Sequence, residues 1–94
     1  MINWKNMVLV EWEDSVVPVS KWCHLEDLPE LKVIKCVSVG FIVGESDRVL
    51  MLAPNMGDVG TDNEQASGCI QIPKSGILQQ VGLDAIEYKE KIDE

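Results

Sequence analysis

The sequence predicts a mainly β chain folded as a small, strongly bent five-stranded barrel, with a short helical segment before the second strand and a charged C-terminal tail. Three observations lead there. Val37, Val39, Phe41 and Val43 alternate with Cys36, Ser38, Gly40, Ile42 and Gly44, the period of a long strand. Val49-Leu50-Met51-Leu52-Ala53 follows a polar connection and stops at Pro54, which makes a hairpin of the pair. Pro73-Lys74-Ser75-Gly76 is a tight turn before a last apolar run.

In chain order, Met7-Val8-Leu9-Val10-Glu11-Trp12 is β-branched and aromatic and reads as the first strand, with Pro18 as a turn after it. Lys21 to Leu31 carries Trp22, Leu25, Leu28 and Leu31 at three-residue spacing with Glu26, Asp27 and Glu30 between them. That pattern predicts about two turns of amphipathic helix or a 3₁₀ segment, despite Pro29. The long strand from Val33 to Val43 is expected to pack on its bulky side, and Gly40 removes a Cβ where a curved sheet would crowd. Both faces of Val49–Ala53 are apolar, which predicts burial on two sides. Asn55 to Gly68 reads as a polar loop with three glycines. Cys69–Ile72 and Ile77–Leu83 read as the last two strands, and Asp84 to Glu94 as a frayed helix or an arm.

Size and charge narrow the function classes. The 94 residues and 10.5 kDa suit one domain, spanning 1–84 with a charged tail at 85–94. A compact fold of this mass would expose about 5,400 Å² and bury roughly 64% of the open chain's surface. A hydrophobic fraction of 46% excludes a disordered class. Eight Lys+Arg against sixteen Asp+Glu give a formal charge of −8, so general coating of nucleic acid is excluded unless the few cations gather in one place. No continuous apolar run of seven or more residues precedes Glu11, Glu13 and Asp14, so no secretory signal is expected and the cytoplasm is the expected compartment. The odd cysteines Cys23, Cys36 and Cys69 are expected to be free, buried core thiols.

No catalytic motif stands out, and a non-enzymatic protein without cofactor or metal is expected. Cys23-His24, Cys36 and Cys69 supply the four soft ligands of a zinc site, but no Cys-x-x-Cys knuckle frames them. Cys23 and His24 are neighbours whose side chains diverge, which does not suit a thiolate and its base. Asp58, Asp62, Asn63 and Glu64 offer oxygen ligands without the alternating spacing of a calcium loop. Trp12 and Trp22 are expected in a core or an interface. Lys74 and Ser75 are the stronger ligand candidates, because Pro73 stiffens the turn that presents them at a rim.

The stretch Val37 to Leu83 resembles the Sm-like family and the wider group of SH3-type small β-barrels. The resemblance lies in Gly40-Phe41-Ile42 opening the long strand, Asp47 in the next turn, the Val49–Leu52 strand, and Ile72-Pro73-Lys74-Ser75-Gly76-Ile77 joining the last two strands. It implies a ring of identical subunits paired through edge strands. It also implies a base-binding role for Asp47 and a phosphate-facing role for Lys74, while Leu50 stands where the family places an asparagine. The overall layout resembles small phage and prophage proteins, which would place the chain in a host cytoplasm.

These observations converge on a homo-oligomeric protein that binds RNA or a small nucleotide at subunit interfaces, with Lys74, Ser75, Asp47, Asn55 and Asp58 lining the site. With a phage origin, the ligand would include a host immune nucleotide that the protein sequesters. A lysine repeated around a ring becomes a collar, which is how so acidic a chain would hold an anion. The alternative is an acidic interaction module that docks on or inhibits a basic host protein through its negative surface. No membrane is expected among the partners.

Overall fold

The computed structural model describes residues 6–16, 18 and 20–85. Among these residues seven strands form: β1 (Met7–Asp14), β2 (Ile34–Glu45), β3 (Val49–Ala53), β4 (Asn55–Gly57), β5 (Gln65–Ser67), β6 (Ile70–Pro73) and β7 (Ile77–Gly82). Five make one antiparallel sheet in the order β6-β3-β2-β1-β7, and β4 and β5 make a separate two-stranded ribbon.

The expected closed barrel is not formed. Among the described residues no ladder joins β6 to β7, so the sheet keeps two edges. Its sharp bend is nevertheless set by the chain. Strands at opposite edges of a flat five-stranded sheet lie about 19 Å apart, while β6 and β7 are joined by the single 3₁₀ turn Lys74–Gly76, which with its flanking bonds spans about 14 Å at most. The sheet must curl to let the connection close. Register shifts at Ile42/Gly44 and at Glu11/Trp12 supply part of that curvature. The curl stops short of closure because β6 is only four residues long and ends in Pro73, which has no N–H to give to another strand.

The inner side of the bend holds the core. Val8, Val10 and Trp12 alternate inward from β1 and meet Leu50, Leu52 and Ile72, with Cys36, Ile42, Ile70 and Ile77 packed around them. The prediction that β2 packs on its bulky side is reversed. Gly40, Ser38 and Cys36 pair with Val8, Val10 and Trp12 and share their inward face, whereas Val37 and Val39 point outward and are 61% and 51% exposed. The reason is space on a concave surface: the large side chains of β1 fill it, so β2 must contribute small ones. Trp12 Nε1 donates to Ser38 Oγ at 3.0 Å, which satisfies the indole in the core. A Cβ on Gly40 would lie 2.9 Å from the Ala53 carbonyl oxygen, so the close approach of β2 to β3 requires glycine there.

The predicted helical segment before β2 is also absent. Within 20–33 only Leu25–Asp27 forms a three-residue 3₁₀ turn, bracketed by extended His24 and Leu28. Pro29 disfavours helical backbone at Leu28 and removes a donor, so the periodic leucines never complete a second turn. The buried-thiol expectation fails for Cys23 and Cys69, which are exposed, while Cys36 is half-buried at the core margin. Trp22 is fully exposed and so is not part of the core. The Asn55–Gly68 loop turns out to contain the β4–β5 ribbon. The expected tail helix or arm at 85–94 lies, from 86 onward, outside the described residues. Segment 20–33 is exposed at every described residue.

Replacing Gly40 by Ala is expected to cost about 1–3 kcal/mol through the forced separation of β2 and β3. Gly57→Ala, which meets nothing within 4 Å, should change stability by less than about 0.5 kcal/mol. Urea midpoints of the two variants measure the contrast, and equal midpoints would refute the tight-approach argument.

Candidate functional site

The turn between β2 and β3 is held by its own serine. Ser46 N–H donates to the Val49 carbonyl at 2.9 Å, and Ser46 Oγ accepts from the N–H groups of Arg48 (3.2 Å) and Val49 (3.0 Å). A second turn, Lys74–Gly76, closes with Ile77 N–H donating to the Lys74 carbonyl. One main-chain bond ties the two together: Lys74 N–H donates to the Arg48 carbonyl at 2.8 Å. Gly76 fixes the other side of this corner, since a Cβ there would lie 2.9 Å from the Glu13 carbonyl oxygen. Main-chain hydrogen bonds thus set the relative position of the two turns.

Between them lies an open recess of about 630 Å³ lined by Ser46, Asp47, Arg48, Val49, Pro73, Lys74 and Ser75. Three of the sequence-predicted residues, Asp47, Lys74 and Ser75, therefore share one site. Arg48 is the residue that sequence reasoning missed. It is the cation of the Glu45-Ser46-Asp47-Arg48 connection, and a count of positive charges near Asp47 would have found it.

The electrostatics are balanced rather than plainly basic. Lys74 Nζ sits 2.6 Å from Glu45 Oε2, so its charge is engaged by a carboxylate in the free protein. Arg48 is exposed and its guanidinium makes no ion pair among the described residues. An anion entering the recess would meet Arg48 directly and would compete with Glu45 for Lys74. Both Lys74 and Glu45 are only partly buried, so that exchange carries a small desolvation cost. The Ser46 and Ser75 hydroxyls add neutral donors, and Val49 and Pro73 give an apolar floor.

Asn55 and Asp58 are not part of this recess; they line the β4–β5 ribbon instead. Asp58 takes positive φ (51°) at the tip, and its Oδ2 accepts from Asn63 Nδ2 at 3.0 Å and Gln65 Nε2 at 3.1 Å. Its carbonyl also accepts from Thr61 N–H and Thr61 Oγ1, while Gly60 N–H donates to Glu64 Oε2. Asp58 thus organises the loop's own fold. The cysteines stand apart: the Cys23 thiol donates to the His24 and Asp27 carbonyls in segment 20–33, and the Cys36 thiol to the Ile34 carbonyl in β2. No group of three His, Cys, Asp or Glu side chains among the described residues could hold a metal ion. No helix among them is long and apolar enough to cross a membrane.

Comparison of the chain with protein-family models, with curated proteins and with solved structures found no match.

Proposed function

We propose that this chain is a non-enzymatic, self-associating binding protein that holds a nucleotide phosphate, free or within RNA, in the recess between the β2–β3 turn and the Lys74–Gly76 turn. The observation that carries this reading is the main-chain bond from Lys74 N–H to the Arg48 carbonyl, which sets two cations at the mouth of one recess. Two cations and two hydroxyls around a partly apolar floor are the groups a phosphate and its attached ring would use. The recess volume of about 630 Å³ lies within the range of small-molecule sites. The Sm-like resemblance of the Ile72–Ile77 turn supports the same role for Lys74. Glu45 acts as the placeholder that a phosphate displaces.

Self-association is supported by the outer edge of β7, which carries no strand among the described residues. A second copy paired at β7, which begins directly after the Lys74–Gly76 turn, would bring a repeat of the same two cations. Multiplying the pair around an assembly offsets the repulsion expected from a net charge of −8.

Lys74→Glu is expected to weaken binding of a labelled mononucleotide or short RNA by about 10- to 100-fold, the range for one charge-assisted hydrogen bond. Glu45→Gln should strengthen it by a few fold, because Lys74 is released from its carboxylate. Titration calorimetry at low and high salt reads both changes, with affinity falling as salt rises. No binding by the wild-type protein at millimolar nucleotide, or equal binding by Lys74→Glu, would remove the reading. The charge of −8 favours a second reading, an acidic module that docks on a basic protein. In that case Lys74→Glu leaves basic-protein binding intact.

A further inference from the structure

Segment 20–33 is an arm. The chain leaves β1 at Asp14 and re-enters β2 at Ile34, and these two residues are direct cross-strand partners. The described residues between them therefore run out and back from one corner of the sheet. Every described residue from Ser20 to Val33 is exposed. Trp22 is fully exposed, Leu31 98% and Leu25 85%, with Leu28 and Val33 more than half so. The backbone here folds into nothing larger than one 3₁₀ turn, yet five large apolar side chains are spaced along it.

The sheet carries a matching surface. On the convex side of the bend, Val81 of β7, Leu9 of β1 and Val39 of β2 stand directly opposite one another in a row across three strands. Val37 extends the row along β2. The exposed part of this face is on the order of 300 Å², the lower end of the range of the largest apolar patch on a monomer, patches that are often functional.

We infer that the arm of one copy lies across the convex β7-β1-β2 face of a second copy, with the exchange made reciprocally. Area favours this arrangement over its simpler rival. Two convex faces packed on each other would bury about 600 Å² in total, the scale of incidental contacts. Two arms laid on two faces add the arm side chains on both sides and reach about 1,200 Å², where specific complexes begin. Symmetry favours it too, since both halves of the contact belong to one chain and a twofold pairing satisfies them together. Reach allows it. Nine residues of each limb extend about 30 Å, while Val37 to Phe41 runs about 13 Å along β2. No recess residue belongs to arm or face, so this pairing and the phosphate reading stand or fall separately.

The native Cys23, next to Trp22 and exposed, supplies the probe. In a Val39→Cys, Cys69→Ser chain, an equal mixture of ¹⁴N- and ¹⁵N-labelled copies is equilibrated and mildly oxidised. Peptides linked through positions 23 and 39 are then weighed. Mixed-isotope links at the statistical proportion are expected. Links of one isotope only, within a monomer, would show the arm folded on its own face and overturn the proposal. A second measurement avoids dependence on disulfide geometry. Leu31→Asp in the arm and Val39→Lys on the face should each weaken self-association at least about tenfold by sedimentation, with the double variant little worse than either. Unchanged association in both variants, or a wild type monomeric at millimolar concentration, would also overturn it. Loss of nucleotide binding in Lys74→Glu with the cross-link intact would leave the arm exchange standing.

Discussion

The length of one connection governs this fold. β6 and β7 are the two edges of a five-stranded sheet, yet three residues separate them in the chain. A sheet that must bring its own edges within reach of so short a link cannot be flat. Its inner side is then a confined concave volume, and the side chains that face it are chosen by available space. Trp12, Val10 and Val8 of β1 take that space opposite Leu50, Leu52 and Ile72. Opposite these β1 residues β2 offers the small Cys36, Ser38 and Gly40, and only beyond them does Ile42 pack against the core. The same link carries Pro73, Lys74 and Ser75 up against the β2–β3 turn, which is why a recess exists at that corner.

That constraint explains which parts of the fold were legible in the sequence. Strand positions were, because alternation and turn residues are local signals. Val49–Ala53 and the turn before Ile77 stand where their patterns place them, and Gly40 falls at the close approach that an interior strand glycine suggests. The facing of β2 was not legible from β2 alone. Alternation reports that two faces differ, and hydrophobicity assigns the bulky one to the interior by default. Here volume outweighs hydrophobicity, because the partner strand had already filled the concave side. Closure was not legible either. Whether an edge is sealed depends on the length and donor pattern of β6, a four-residue strand ending in proline, and five strands read in order do not reveal it.

The candidate site divides in the same way. Lys74, Ser75 and Asp47 converge because two tight turns, each readable from its own residues, are tied by the Lys74–Arg48 main-chain bond. Asn55 and Asp58 were grouped with them only by being polar and on a loop. The structure spends Asp58 on Asn63, Gln65 and Thr61, so its side chain and carbonyl build the ribbon tip. A carboxylate rich in local hydrogen-bonding neighbours at short sequence separation is a turn organiser before it is a ligand. The ion pair of Lys74 with Glu45 was beyond sequence reasoning, since Glu45 sits across the turn and its approach depends on how β2 ends.

The curl that creates the recess also creates the need for the arm. Bending a single five-stranded sheet gives one concave face with a small core and one convex face that carries no second layer among the described residues. The core of the described residues consists of seven buried apolar side chains, Ala53 included, a modest interior for a domain of this length. Apolar residues on the convex side of β7, β1 and β2 are thus the residues that a two-layer domain would cover with its second layer. The chain carries five further large apolar groups on segment 20–33, and that segment is too short in regular structure and too interrupted at Pro29 to become an independent layer. An element that cannot fold by itself and a face that cannot be covered by the sheet's own strands are complementary shortages. The proposed exchange between copies would resolve both with one contact, using the most exposed tryptophan and leucines among the described residues.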